Sequence, residues 1–77
     1  MSRTRSTEIL AEMVAGVLSV DCAVGDTIEP GDVVVLLESM KMEIPVLAEH
    51  AGRVTGIRVT AGDVVQEGDP LVTLDLI

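Results

Sequence analysis

Apolar and polar residues alternate at a spacing of two along much of the chain. Leu18, Val20 and Cys22 are separated by Ser19 and Asp21, and Ile57 and Val59 alternate with Arg58 and Thr60. A period of two is the mark of a strand buried on one face. Two short apolar runs, Val33 to Leu37 and Leu71 to Leu74, read as more deeply buried strands. Four Gly-Asp pairs, at 25–26, 31–32, 62–63 and 68–69, punctuate these segments. Gly and Asp supply the backbone angles and local hydrogen bonds that tight turns require. The pattern predicts eight strands, over 8–13, 15–22, 27–29, 33–38, 43–48, 53–60, 64–66 and 71–75, and no helix. Residues 1–7 are expected to form a flexible tail ahead of one domain over 8–77.

The chain also repeats itself. Ala15 to Asp26 is echoed by Ala51 to Asp63, and Thr27 to Asp32 by Val64 to Asp69; each half then closes on an apolar run. A weaker echo sets Glu8-Ile9 against Glu43-Ile44. Aligned this way, the second copy has one extra residue beside Gly56, because Val54 lies three positions before Ile57. A β-bulge is the simplest physical account of that insertion. Two copies of one supersecondary unit predict an all-β fold. The expectation is a flattened β-barrel or sandwich of two pseudo-two-fold-related four-stranded antiparallel sheets, an arrangement that hides most strand edges. The halves join at the hairpin between the fourth and fifth strands, whose turn is Ser39-Met40-Lys41-Met42.

Composition narrows the function classes. A chain of 77 residues buries only roughly 60% of the surface its unfolded form exposes, too little to wall off a deep active-site cavity. Hydrophobic residues make up 48% of the chain, yet Phe, Trp and Tyr are absent. Base and sugar stacking therefore have no platform. The formal charge of −8 repels phosphate backbones and anionic lipid surfaces. Neither nucleic acid nor membrane is expected as a partner. A single cysteine, Cys22, excludes an internal disulfide, and no apolar signal core or membrane span is present, so a cytoplasmic location is the expectation; the isolated chain is expected to be a monomer.

One residue stands out chemically. Lys41 is the only lysine, and it sits at the junction of the repeats between Met40 and Met42, bracketed by Glu38 and Glu43. The bland reading is a solvated turn lysine, but exposed methionines at such an apex point to a contact surface. A Schiff-base role is a poor fit, because it needs a neutral amine and neighbouring carboxylates favour the ammonium form. Lys41 reads instead as a group that another enzyme modifies. Cys22 alternates with Leu18 and Val20 and reads as a core residue rather than a nucleophile. His50, the only histidine, reads as a surface-loop residue with no catalytic partner. The Gly-Asp pairs lack the dense acidic spacing of a calcium loop, and turn chemistry accounts for them.

Glu38-Ser39-Met40-Lys41-Met42-Glu43 resembles the attachment site of the biotinyl/lipoyl attachment domain family, whose biotinyl members carry Met-Lys-Met. The resemblance covers almost the whole chain: Ala11 to Val17 is similar to an early strand of the family, and Gly25-Asp26 and Gly62-Asp63 match two of its turns. It implies a free-standing biotin carboxyl carrier-like domain that is itself no enzyme. Biotin would be amide-linked to Lys41 by a biotin protein ligase. A biotin carboxylase would then load the cofactor, and a carboxyltransferase would pass the carboxyl group to an acyl-CoA or a 2-oxo acid. Met40, Met42, Ser39, Glu38 and Glu43 would form the flanking recognition turn. Ser39 stands where Ala is more usual and Glu12 where Pro is common, and the protruding thumb of some carriers is missing. Two other readings remain beside it. A lipoyl carrier shares the fold, although its lysine typically lies between Asp and a small residue. An unmodified barrel could serve as a protein-interaction module.

Overall fold

The structure, a computed structural model, describes residues 5–76. Eight strands run in order: β1 (Arg5–Leu10), β2 (Ala15–Val20), β3 (Thr27–Ile28), β4 (Val33–Ser39), β5 (Met42–Leu47), β6 (Gly52–Ile57), β7 (Val64–Val65) and β8 (Pro70–Leu76). They form two four-stranded antiparallel sheets, β1-β8-β6-β3 and β5-β4-β2-β7. The fold is the all-β, two-sheet arrangement that the alternation implies. Each sheet draws two strands from each repeat, so neither half of the chain builds a sheet alone.

The first strand starts at Arg5, where the alternation placed it at residue 8. Arg5, Ser6 and Thr7 pair with Leu76, Asp75 and Leu74, so this part of the expected tail is strand. Its residues 1–4 lie outside the described residues. The cause is long-range: β8 offers pairing partners to a segment with no apolar signal of its own.

The repeat has a constant spacing of 37 residues, visible in the core. Ala11, Val17, Ile28, Val34, Val35 and Leu37 are buried, and so are Ala48, Val54, Val65, Leu71, Val72 and Leu74 at the equivalent positions. Ala15 is matched by buried Gly52, which corrects the alignment of Ala15-Gly16 with Ala51-Gly52. The second copy has no extra residue. Both copies carry the bulge: Leu18 is unpaired between Val17 and Ser19 in β2, as Thr55 is between Val54 and Gly56 in β6. Leu18 therefore does not share the inward face of Val20 and Cys22; Val17 takes the buried place and Leu18 is exposed. The weak echo shifts likewise, since β1 corresponds to β5 residue for residue at the same spacing.

A second bulge in each copy shapes the core. Val34 is unpaired opposite β5, and Leu71 opposite β1. Neighbouring residues on a regular strand point to opposite faces. At the bulges Val34 and Val35, and likewise Leu71 and Val72, are all fully buried. An all-aliphatic core is filled this way without aromatic bulk.

The four Gly-Asp pairs build one turn four times. In Ala23-Val24-Gly25-Asp26 the Asp26 amide donates to the Ala23 carbonyl, and Gly25 takes a φ of +98°, the third-position requirement of a type II turn. The Asp26 carboxylate then accepts the Ala23 amide at 2.9 Å. Asp32, Asp63 and Asp69 repeat both bonds in their own turns. These carboxylates are committed to backbone amides, and no metal-binding cluster of His, Cys, Asp or Glu occurs among the described residues. Sheet edges are managed in different ways: β3 and β7 have two residues each, and β5 carries Pro45.

Gly52 yields a test of this packing. A Cβ built there would lie 2.7 Å from the Asp75 carbonyl oxygen, whereas one at Gly56 meets Thr73 at 3.6 Å. Gly52→Ala should lower the unfolding free energy in urea by about 1–3 kcal/mol, as overpacking does. Gly56→Ala should cost less than half as much. Equal effects would contradict the register assigned to β6 and β8.

Candidate functional site

The hairpin of β4 and β5 brings the sequence-predicted residues together. Glu38 lies directly opposite Glu43, and Ser39 opposite Met42, which leaves Met40 and Lys41 as a two-residue loop. Such loops favour turns in which both central residues have positive φ, because that geometry matches the strand twist. Met40 has φ +52° and Lys41 φ +63°, the only non-glycine residues of positive φ among those described. Left-handed backbone costs an L-residue with a Cβ roughly 1–2 kcal/mol. The pairing of β4 with β5, anchored by fully buried Val35 and Leu37, holds the loop in this shape.

The tip is open to solvent. Met40 is 91% exposed and Met42 61%, and Lys41, Glu38 and Glu43 are exposed as well, while Ser39 is half-buried. Among the described residues the one ion pair joins Arg58 to Glu8 at 3.8 Å, so the Lys41 amine is not tied to a carboxylate. An unpaired amine on an exposed, stiff loop meets the requirement for amide attachment of a cofactor carboxyl group. The alternation did not bring out that Glu38 and Glu43 face each other directly; only the hairpin register does. Like charges in that relation are mildly destabilising. At the opposite end of the barrel the equivalent of the Ser39–Met42 pair is Leu76 with Arg5, the paired ends of β8 and β1.

The remaining reactive groups lie elsewhere. Cys22 is half-buried and packs against the core; burial, reinforced by Asp26 and Asp21, pushes its thiol above the ordinary value. It is a protonated, poor nucleophile at neutral pH. His50 is exposed in the loop before β6.

With the geometry established, comparison with known proteins assigns the class. A family model described as "Biotin-requiring enzyme" matches residues 5–74. The chain belongs to this biotin/lipoyl attachment family of carrier domains, in which the protein bears the cofactor and is not itself the catalyst. It is 67% identical over 39 residues to "Biotinylated protein TB7.3" of Mycobacterium tuberculosis, a stretch covering 51% of this chain and 55% of that one. A homolog from Mycolicibacterium smegmatis is 62% identical over 39 residues, with the same shares covered. The chain thus spans about half the length of the curated relatives it matches. Among solved structures, a single-chain, multi-domain long-chain acyl-CoA carboxylase superposes with a TM-score of 0.88 at 32% identity, over 94% of this chain and 7% of that one. The urea carboxylase of Kluyveromyces lactis gives 0.85 at 31% identity, over 96% and 6%. The lipoyl domain of the 2-oxoglutarate dehydrogenase complex of Azotobacter vinelandii shares the fold, with a TM-score of 0.68 at 24% identity over 95% of each chain.

The strain in the loop is testable. Met40→Asn places a residue that tolerates left-handed backbone at the first loop position and should raise the unfolding free energy by about 0.5–1 kcal/mol. The urea midpoint should rise with an unchanged slope. A lower midpoint would contradict the assigned loop geometry.

Proposed function

We propose that the chain is a biotin carboxyl carrier module with biotin amide-linked to Lys41. The observation that carries this reading is the position of the sole lysine at the tip of a two-residue hairpin loop, between two exposed methionines, in a chain of the biotin family. When bound, biotin supplies the site that takes up and gives up a carboxyl group. The work of the protein residues is tethering and presentation. The strained loop fixes the Cα of Lys41, so the side chain alone provides the movable arm, and a tether raises the effective concentration at each partner site. Met40 and Met42 offer polarizable apolar contact on either side. Glu38 and Glu43 present negative charge to the partner proteins.

Those partners are a biotin protein ligase, a biotin carboxylase and a carboxyltransferase acting on an acyl-CoA or a 2-oxo acid. The likeness to domains of a long-chain acyl-CoA carboxylase and a urea carboxylase supports a role in carboxyl transfer. The identity of the flanking residues favours biotin over lipoate, because both neighbours of Lys41 are Met.

Intact-mass measurement and peptide mapping test the reading. Incubation with a purified biotin protein ligase, biotin and ATP should add one biotinyl group, located on Lys41. Lys41→Arg should abolish the addition while leaving the thermal unfolding profile in place. A wild-type chain that stays unmodified, or that accepts lipoate from a lipoyl ligase in preference, would refute it.

A further inference from the structure

The internal repeat supplies its own control for reading the surface. Residues 37 apart hold equivalent places on the two sheets, so the outer faces can be compared position by position. The sheet containing β1 and β8 presents Glu8, Thr27, Arg53, Thr55 and Thr73. The equivalent residues on the sheet containing β4 and β5 are Pro45, Val64, Gly16, Leu18 and Leu36. At these five positions a polar side chain on one face is replaced by an apolar side chain, or by none, on the other, whereas Asp75 and Ser6, further along the same row, correspond to the acidic Glu38 and Glu43. The same strand pairing is built with either set, so the fold itself does not require the apolar one. Val64 is 73% exposed, and Val14, in the bend just before β2, 62%.

This apolar face is continuous with the hairpin. Val64 pairs with Gly16, Gly16 with Glu38 and Glu38 with Glu43, so one row crosses all four strands and ends at the base of the Lys41 loop. A surface of this kind, apolar in the middle and acidic at one border, fits a partner with an apolar patch flanked by lysine or arginine. A second copy of the chain is a poor occupant, because each copy carries a formal charge of −8 and would set Glu38 and Glu43 near their own kind.

We propose that this face is the seat of the enzyme that loads Lys41, a biotin protein ligase. The inference rests on the biotin reading above. Reach selects the ligase among the partners. An enzyme that joins biotin to the Lys41 Nζ must come within one side-chain length of the hairpin, so its body abuts the sheet beside it. Enzymes that act on the biotin ring meet it at the end of the lysine side chain extended by the cofactor's own acyl chain, and stand further off.

The test exchanges the two faces. A variant carrying Val14→Ala, Leu18→Thr, Leu36→Thr and Val64→Thr installs residues that the chain already uses at the equivalent positions. The converse variant, Thr27→Val, Thr55→Leu and Thr73→Leu, alters only the opposite sheet. Initial rates of Lys41 biotinylation are measured with a purified biotin protein ligase, biotin and ATP over a range of carrier concentrations. The first variant should raise KM on the order of tenfold with little change in kcat, as loss of contacts present in both ground and transition states does. The converse variant should load like the parent. An unchanged KM in the first variant, with a normally modified parent, would overturn the docking face; an unmodified parent would instead overturn the biotin reading. Should the fourfold variant lose cooperative unfolding, Val64→Thr alone is read in the same way, with a KM increase supporting the face and no change refuting it.

Discussion

The feature on which the rest depends is the short closure of β4 onto β5. Pairing Ser39 with Met42 leaves only Met40 and Lys41 to turn the chain, and both are driven into left-handed backbone. Neither residue favours that conformation on its own, so something else must impose it. The strand pairs below supply that constraint, and they are fixed in turn by Val34, Val35 and Leu37 in the barrel core. The proposed function follows from the same constraint. A loop with no slack presents the lysine at a defined point, and its side chain supplies the freedom a carrier needs.

The barrel is economical because one unit is used twice. Each copy contributes the same turn, the same two bulges and the same buried positions, and the four Asp carboxylates close the turns on backbone amides. The departures from symmetry carry the functional information. One end of the barrel has the Lys41 hairpin and the other the paired ends of β1 and β8; one sheet has a more polar outer face and the other a more apolar one. Direct opposition of Glu38 and Glu43 is a further departure, since the equivalent pair is Asp75 with Ser6. Two like charges side by side are a mild cost to the fold, and the proposed function assigns the acidic pair to recognition.

Much of this was legible in the chain, and the misses have specific physical causes. Period-two alternation and the Gly-Asp pairs revealed eight strands, two sheets and the hairpin carrying Lys41, because burial on one face and turn geometry act on neighbouring residues. The register of the repeat was not legible from matching residues. Ala15-Gly16 looks like Ala51-Gly52, yet Ala15 corresponds to Gly52, where a carbonyl oxygen leaves no room for a methyl group. Space, set by the partner strand, decided that position. The missed start of β1 has a similar origin, since Arg5 to Thr7 become strand only by pairing with β8. Left-handed backbone at Met40 and Lys41 has no signal in residue type; the two-residue loop length implies it once the register of β4 and β5 is known. The contrast between the sheet faces likewise needed the corrected 37-residue spacing.

The most direct test of the central claim asks whether the barrel, and not the local residues, makes Lys41 a substrate. A synthetic peptide spanning Val33 to Leu47 contains the complete hairpin sequence but none of the opposing sheet. Its kcat/KM for biotinylation by a purified biotin protein ligase is compared with that of the folded protein. The account predicts that the folded protein is better by at least about a hundredfold, because the free peptide must first lose the backbone entropy that the barrel has already removed. Equal values would contradict it and would mean that Met-Lys-Met and its neighbours suffice without the fold.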